Sequence, residues 1–189
     1  MRRAAVWGLG AMGSSIARLA AERRVAEITA ALDVSPSKVG RTLDQVAGPP
    51  CPRVPVDHAD QAPESLRKAG VELVFLATSS YLRDVAPQIL TALESGSSVV
   101  TIAEEMIYPW AADPALADRI HRVAVKVGRG VLGIGVNPGY VMDLLPLVFS
   151  GPCRRVDKVK VFRCNDLSPY GPAVLRSQGV GLDPEEFED

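Results

Sequence analysis

The sequence is poor in the residues from which disulfide frameworks and metal centres are built. Its three cysteines, Cys51, Cys153 and Cys164, are odd in number and widely spaced, so they predict neither a disulfide framework nor a metal site. The two histidines, His58 and His121, are isolated, which argues against zinc. We therefore expect no metal, and a reduced cytoplasmic protein.

Long apolar runs and an excess of charge of one sign are also absent. No run reaches the roughly 18 apolar residues that a membrane span needs. The net charge is −1, with both signs interspersed, so we expect neither a nucleic-acid nor a membrane partner. A length of 189 residues with 47% hydrophobic residues is enough for one domain with a proper core, or slightly more than one.

Apolar strand patterns alternate with helical patterns over the first part of the chain. Such alternation is typical of βαβ units, and it predicts an α/β domain with a parallel sheet over residues 1–137. Ser35, Pro36 and Ser37 predict a further helix start, and the proline-rich residues 44–57 predict a loop. The predicted strands are 3–8, 27–32, 54–56, 71–77, 98–103 and 131–136, and the main helices are 11–24, 63–69, 81–95 and 114–127.

The first strand leads directly into a G-x-G-x-x-G pattern. Gly8 permits a tight turn, Gly10 lets the backbone approach a pyrophosphate, and Gly13 lets the following helix pack closely on the strand. The first N–H groups of that helix, around Ala11 and Met12, then face the phosphates. The pattern predicts a Rossmann-type dinucleotide-binding domain. The alternative is a doubly wound domain whose glycine turn binds no dinucleotide.

An acidic residue ends the second strand, at the position where the ribose of a dinucleotide is held. Asp33 follows Gly13 by twenty positions and can accept hydrogen bonds from ribose hydroxyls. We expect NAD or NADP as cofactor. Since Asp33 would repel a 2′-phosphate, we expect NAD to bind at least as well as NADP, although Ser35, Ser37 and Lys38 nearby could host a phosphate.

Small and hydroxyl side chains follow the fourth strand. Ala77, Thr78 and Ser79 lie where the inner ribose and the nicotinamide of a dinucleotide should pass, because ligands bind outside the carboxyl ends of parallel strands. A compatible alternative is that Ser79 or Ser80 caps the next helix.

Two adjacent carboxylates follow the next buried strand. Glu104 and Glu105 would repel each other and lose solvent in a half-closed cleft, and both effects raise a carboxyl pKa toward the range of a general base. The alternative is an acidic pair in the first turn of a helix, where negative charge is favourable.

Polar residues near the end of the sixth strand and beyond it are candidates for binding nicotinamide and substrate. Asn137 could hold the nicotinamide carboxamide, and Tyr140 lies beside it. Arg163 and Asn165 lie two apart on a predicted strand, so they share a face that suits a substrate carboxylate. A solvated sheet face and a simple Asn-Pro-Gly turn are the alternatives.

The character of the chain changes after residue 137. Residues 140–149 predict a linking helix, and residues 158–164 predict a half-exposed strand of a second α+β domain, which we assign to residues 138–189. Asp183 and Pro184, followed by acidic residues, predict a helix start. Because the chain ends two residues after Phe187, we expect this second domain to be incomplete and the chain to be C-terminally truncated.

Taken together, these stretches resemble the 2,4-diaminopentanoate dehydrogenase family. That family is related to dihydrodipicolinate reductase and includes native amine dehydrogenases. Residues that carry the resemblance run in order along nearly the whole chain: the glycine pattern at 8–13, Ala-Thr-Ser-Ser at 77–80, Glu-Glu at 104–105 before Tyr-Pro-Trp at 108–110, Gly-Val-Asn-Pro-Gly-Tyr-Val-Met-Asp-Leu-Leu-Pro at 135–146, Arg-Cys-Asn-Asp at 163–166, and Gly-Val-Gly-Leu-Asp-Pro-Glu-Glu-Phe at 179–187.

The resemblance implies NAD(P)-dependent oxidative deamination of a small amino acid or amine, such as 2,4-diaminopentanoate, to a ketone and ammonia. It implies that Glu104 or Glu105 is the base, that Asn137 borders the nicotinamide, and that Arg163 and Asn165 border the substrate. We expect a homodimer. Two alternatives stay open: a dihydrodipicolinate reductase-like enzyme, disfavoured because the sequence has no His-His pair, and a non-catalytic dinucleotide-binding module.

Overall fold

The computed structural model describes residues 1–169, 175–176 and 178–188. The chain forms two compact units, Met1–Gly151 and Pro152–Asp189. The functional boundary that we predict at residue 137 remains a prediction, and part of the predicted second domain lies outside the described residues. Within the described part of the chain, no helix is both long and apolar enough to cross a membrane.

The first unit is built on a six-stranded sheet whose described pairings are all parallel. The strand order is β3-β2-β1-β4-β5-β6, which is the doubly wound arrangement of dinucleotide-binding domains. The predicted fold class is therefore confirmed. The strands are β1 (Arg3–Trp7), β2 (Glu27–Asp33), β3 (Val56–His58), β4 (Leu73–Leu76), β5 (Ser98–Thr101) and β6 (Val131–Gly133).

Helices connect the strands at the positions that the apolar periodicity predicts. The longest of them, α6, begins with Asp113 as its N-cap and ends at Gly128 in a left-handed conformation, which is why its predicted bounds agree with the structure. The helices are α1 (Ala11–Glu22), α2 (Leu43–Ala47), α3 (Ala62–Lys68), α4 (Leu82–Glu94), α5 (Pro109–Ala112), α6 (Pro114–Val127), α7 (Leu145–Ser150) and, in the second unit, α8 (Pro184–Glu188).

Two apolar clusters cover the two faces of the sheet. Successive residues of a strand point to opposite faces, so Trp7 joins one cluster and Val6 joins the other. The larger cluster packs α3, α4 and α6 against the sheet, and the smaller packs α1 and α2. Helices on both faces fix the crossover positions, and they leave the carboxyl ends of the strands free to carry loops.

Three local predictions of the sequence are wrong. The segment after β2 forms consecutive turns and no helix: Asp33 accepts a hydrogen bond from the Ser35 N–H, and the Ser35 carbonyl accepts from Lys38 and Val39. Part of the proline-rich loop is helical, because Thr42 and Gln45 form a capping box that starts α2.

The third wrong prediction is the strand at residues 158–164. The second unit has no regular structure between residues 155 and 167, since nothing described in this unit pairs with that segment. By contrast, the predicted helix start near the end of the chain is confirmed. The Asp183 carboxylate accepts a hydrogen bond of 3.0 Å from the Glu186 N–H and so caps α8.

Candidate functional site

The candidate site lies where β1 and β4 are adjacent, at the carboxyl edge of the sheet. The chain leaves β1 toward α1 on one face and leaves β4 toward α4 on the other, so the two exit loops diverge and open a crevice. The glycine turn at residues 8–13 forms one side of this crevice, and residues 77–80 form the other.

Two glycines of the turn have no room for a side chain. Gly8 has a φ of +90°, and a Cβ there would lie 2.6 Å from the Ala77 carbonyl oxygen. A Cβ on Gly13 would lie 1.7 Å from the Gly8 carbonyl oxygen. The strand, the turn and α1 are therefore packed backbone against backbone, which fixes the direction in which α1 begins.

The middle glycine differs from its neighbours because it faces open space. A Cβ on Gly10 would have no protein atom within 4 Å. Gly10 is also the N-cap of α1, and no side chain caps that helix, so the N–H groups of its first turn near Ala11 and Met12 are directed into the same space. Open space in front of uncapped helix amides suits a phosphate group, and the residues present therefore fit the pyrophosphate of a dinucleotide.

Asp33 lies at the end of β2 and is almost fully buried, with 6% of its surface exposed. One carboxylate oxygen accepts hydrogen bonds from the Leu9 N–H at 2.7 Å and from Lys38 Nζ at 3.1 Å, and the other accepts from the Ser35 N–H at 2.8 Å. Burial raises the pKa of the carboxyl, but the hydrogen bonds from Ser35 and Leu9 and the Lys38 ammonium together outweigh it, so the pKa lies below its ordinary value of 3.8.

The loop after β4 forms a local hydrogen-bond network with α4. Thr78 donates to Gln88, and Ser79 donates to Asp84 at 2.6 Å while accepting from the Tyr81 N–H at 3.2 Å. The alternative that Ser79 or Ser80 is the N-cap is wrong, because the N-cap position belongs to Tyr81. Ala77 remains packed beneath the glycine turn, beside Gly8 and Gly13.

The two adjacent carboxylates have different surroundings. They begin a short 3₁₀ turn, Glu104–Ile107, directly after β5. Glu105 is half-buried, and its Oε2 accepts a hydrogen bond of 2.6 Å from the N–H of Leu82, the first residue of α4. Glu104 is exposed. The Glu105 carboxylate therefore caps the neighbouring helix, which Tyr81 cannot do with its own side chain.

A cavity of about 390 Å³ opens beside Glu105. Of the residues around it, the sequence predicts only Glu105 as a site residue, since the others are scattered over two further stretches and match no motif. Its lining includes more acidic than basic side chains; it consists of Tyr81, Leu82, Arg83, Asp84, Glu105, Ala112 and Asp113.

The Asn-Pro-Gly segment after β6 packs against the 3₁₀ turn that carries the carboxylates. A Cβ on Gly133 would meet the Met106 backbone, and one on Gly139 would lie 3.2 Å from Ile107. Asn137 is half-buried in this segment, whose backbone is not helical at residues 137–139, and Tyr140, directly after it, is exposed. The structure thus brings residues 104–107 and 137–140 together.

The remaining predicted site residues, Arg163 and Asn165, lie in the second unit. Both are exposed, and Arg163 donates a hydrogen bond of 2.9 Å to the Asn165 side-chain oxygen. Since the predicted strand is absent, the expectation that they share one face of a sheet is wrong. Their role toward a substrate remains a prediction.

The chain is similar to known dehydrogenases over almost its whole length. It is 36% identical to the 2,4-diaminopentanoate dehydrogenase of Acetoanaerobium sticklandii over 96% of this chain and 51% of that protein. It is 28% identical to an amine dehydrogenase of Streptomyces virginiae over 87% of this chain and 45% of that protein. The chain therefore spans about half the length of the curated relatives that it matches.

Structural similarity and a family match agree with these relatives. The structure of an amine dehydrogenase from Mycobacterium smegmatis superimposes with a TM-score of 0.81 at 29% identity, covering 99% of this chain and 54% of that one. Residues 140–189 match the family described as the 2,4-diaminopentanoate dehydrogenase C-terminal domain. Over the length that it spans, the chain is similar to members of the 2,4-diaminopentanoate dehydrogenase family.

Proposed function

We propose that this chain carries the NAD(P)-binding half of an oxidoreductase that deaminates a small diamino acid or amine oxidatively. The observation that carries the proposal is the arrangement of one crevice. A glycine turn with uncapped helix amides lies on one side of it, and a turn with two carboxylates follows the strand next to β4. The first feature suits a dinucleotide and the second suits proton removal from an amine.

The dinucleotide would be held mainly by backbone groups. The first-turn amides of α1 would bind the pyrophosphate, and the missing side chain at Gly10 would let it approach. Thr78 and Ser79, on the facing loop, would border the inner ribose, and Asn137 would accept or donate to the nicotinamide carboxamide. When bound, NAD(P)⁺ supplies the hydride acceptor of the reaction.

The two carboxylates would divide the remaining work. Glu105 is already bonded to the Leu82 N–H and would position the turn. Glu104 would be the base that takes a proton from the substrate ammonium or from the attacking water. In sum, the amine-bearing carbon loses a hydride and a proton leaves the nitrogen; water then adds, and ammonia leaves to give a ketone. This assignment is favoured because Glu104 is the exposed member of the pair.

The other expectations belong to the same proposal. Tyr140, Arg163 and Asn165 would border the substrate, with Arg163 suited to a carboxylate. The 2,4-diaminopentanoate activity named for the Acetoanaerobium relative supplies the substrate class. We further propose a cytoplasmic homodimer in which residues 138–189 contribute to substrate binding or dimerisation.

The dinucleotide part of the proposal is tested by Gly10→Ala. Gly10 has a φ of −68°, which alanine adopts freely, and its Cβ would meet no protein atom, so the melting temperature should stay within about 1 °C of the wild type. Calorimetric titration should show that the same change weakens NAD⁺ and NADP⁺ binding about tenfold or more, since the methyl group would displace the pyrophosphate. If Gly10→Ala binds the cofactors as tightly as the wild type does, the dinucleotide does not bind at the glycine turn.

The catalytic part is tested by following NAD(P)H formation from 2,4-diaminopentanoate with a full-length protein that contains this chain. Glu104→Gln should lower turnover by roughly 10²–10⁴-fold while cofactor affinity stays the same. Tight cofactor binding with no turnover of any amine by a full-length protein that contains this chain would favour a non-catalytic dinucleotide-binding module. Equal turnover of wild type and Glu104→Gln would refute Glu104 as the base.

A further inference from the structure

On the face of the sheet that carries α1 and α2, the apolar cover extends over only part of the strands. The smaller apolar cluster lies on this face, contains residues of β1, β2 and β3, and reaches as far as Phe75 of β4. Among the described residues, none from β5 or β6 joins that cluster, whereas the opposite face of the same two strands packs against α4 and α6. The sheet is therefore covered on both faces over β1, β2 and β3, and on one face over β5 and β6.

The side chains on the uncovered side are apolar and lie in register. Phe75 is paired with Val100 and Val100 with Leu132, so these three form a row across β4, β5 and β6. Exposure rises along this row, since Phe75 and Val100 are half-buried and Leu132 is 58% exposed. Alternation along the strands adds the apolar neighbours two positions away. We call this surface the open face, and its side chains are Leu73, Phe75, Val100, Ile102, Leu132 and Ile134.

An open face of this kind is unusual in a parallel sheet. The described pairings of this sheet are all parallel, and parallel sheets occur almost only with both faces covered. A contiguous exposed apolar patch marks an interaction site. The open face contains no charged side chain, and Ser98, which is paired with Leu73, adds one hydroxyl. Its composition therefore suits an apolar partner.

The width of the open face indicates what kind of element fits it. Three strands that lie about 4.8 Å apart give a face about 10 Å wide. One α-helix with its side chains has a diameter of about 10–12 Å, so a single helix is wide enough to cover the face. A second copy of this chain would present the same sheet face, but parallel sheets are covered by helices rather than by another sheet. The geometry thus favours one helix with an apolar stripe.

The relatives contain further chain that could supply such a helix. This chain superimposes over 99% of its length on the amine dehydrogenase structure, and it covers 54% of that protein. The curated 2,4-diaminopentanoate dehydrogenase is covered to 51% of its length. In these relatives the fold described here is accompanied by nearly as much chain again.

We propose that the open face is a docking surface for a helix from the rest of a full-length protein. The occupant is a helix from the half of such a protein that this chain does not match, and it completes the cover of β5 and β6. The proposal goes beyond the proposed function, because it concerns the cover of the sheet and neither the cofactor nor the reacting groups.

The first test compares the reaction of Leu132→Cys with a maleimide in the 189-residue chain and in a full-length protein that contains it. Mass spectrometry of the digested peptides reads position 132 separately from the exposed native thiols of Cys153 and Cys164. We expect labelling at position 132 to be about tenfold slower or more in the full-length protein, since a reagent reaches a covered position only through local opening. The matched control is Val25→Cys, at a 65% exposed position between α1 and β2, which should react equally fast in both.

Equal labelling of position 132 in the two proteins would overturn the proposal, because nothing would then cover the open face. A thermal melt of each variant checks that it is folded. If Leu132→Cys does not fold in the full-length protein, Ile134→Cys takes its place, since Ile134 is 43% exposed on the same face.

The second test identifies the occupant by placing the photocrosslinker p-benzoylphenylalanine at position 132 of the full-length protein. We expect a crosslink within one chain that joins the β6 peptide to a peptide outside the matched half. A product of twice the mass that joins two open faces would assign the surface to a second copy and overturn the proposal. The absence of any crosslinked product would overturn it as well, since the face would then be uncovered.

Discussion

The contact between Glu105 and α4 gives a prediction whose size follows from the geometry. The Glu105 carboxylate accepts a hydrogen bond of 2.6 Å from the N–H of Leu82, across 23 residues of sequence, and it lies at the positive end of a 13-residue helix. Loss of a helix cap costs about 0.5–2 kcal/mol, and loss of a negative charge at a helix N-terminus costs about 0.3–1 kcal/mol. Glu105→Ala should therefore lower the free energy of unfolding by about 1–2 kcal/mol.

The assay is thermal unfolding followed by circular dichroism at neutral pH. For a protein of this size, 1 kcal/mol corresponds to about 2–4 °C, so Glu105→Ala should lower the melting temperature by about 3–6 °C. Glu105→Gln keeps an acceptor oxygen but loses the charge, so its effect should be smaller. The matched control is Glu104→Ala, which removes an exposed neighbour and should change the melting temperature by about 1 °C or less.

Two results would refute this reasoning. If Glu105→Ala melts at the wild-type temperature, the carboxylate does not cap α4 in solution. If Glu104→Ala destabilises the chain as much as Glu105→Ala, the two carboxylates are equivalent and the division of their roles fails. The corresponding amide variants then inform catalysis, since only Glu104→Gln is expected to remove turnover while leaving the fold intact.

Three further predictions concern the sheet edge and the core. Gly13→Ala would place a methyl carbon 1.7 Å from the Gly8 carbonyl oxygen, so it should lower the melting temperature and abolish cofactor binding in calorimetry, unlike Gly10→Ala. The folded-state pKa of Asp33 lies below its unfolded value, so the ionised carboxylate stabilises the fold above about pH 4, and this stabilisation is lost as the pH falls through the folded pKa. In denaturant titrations, the stability difference between wild type and Asp33→Asn should therefore shrink between about pH 5 and about pH 3. Ile89→Ala, at a fully buried position of α4, should cost about 2–5 kcal/mol by urea unfolding, and an unchanged urea midpoint would contradict the packing described for the larger cluster.

The strands and main helices were predictable because their signals are local. Residues 71–77 are almost continuously apolar, as a strand covered on both faces must be, and the structure places β4 at Leu73–Leu76 in the middle of the sheet. The bounds of α6 follow from Asp113 and Gly128, which cap the two ends of that helix. For these elements the cause lies within the segment itself and the sequence was sufficient, although the equally local capping box of α2 was not predicted.

Predictions were wrong where a partner distant in sequence decides the local structure. Ser35 and Pro36 have the composition of a helix start, but Gly40 donates to the Val56 carbonyl, which turns the chain back toward β3. The alternating residues 158–164 have the pattern of a strand, and a strand forms only where another strand pairs with it. Alternation of apolar and polar residues predicts which face of a strand is buried, but it does not show that another strand is present to pair with it.

The grouping of the predicted residues at one edge of the sheet followed from the sequence, and their contacts with one another did not. The carboxyl-edge rule selected residues 8–13, Asp33, 77–80, 103–105 and 137–140, because parallel strands must end on the same side. Which carboxylate caps α4 and which is exposed depends on where Leu82 lies relative to the turn after β5. The spacing of residues along the sequence does not reveal how far Leu82 lies from the turn after β5 in the folded chain.

The sequence by itself thus determined the doubly wound sheet, the glycine turn and the position of the crevice, since each follows from periodicity, glycine stereochemistry or chain direction. Only the tertiary structure decided that Asp33 is bonded to Leu9 and Lys38, and that Glu105 is bonded to Leu82. The physical reason is the same in both cases. A carboxylate that leaves water takes the nearest available donors, and the folding of distant segments determines which donors those are.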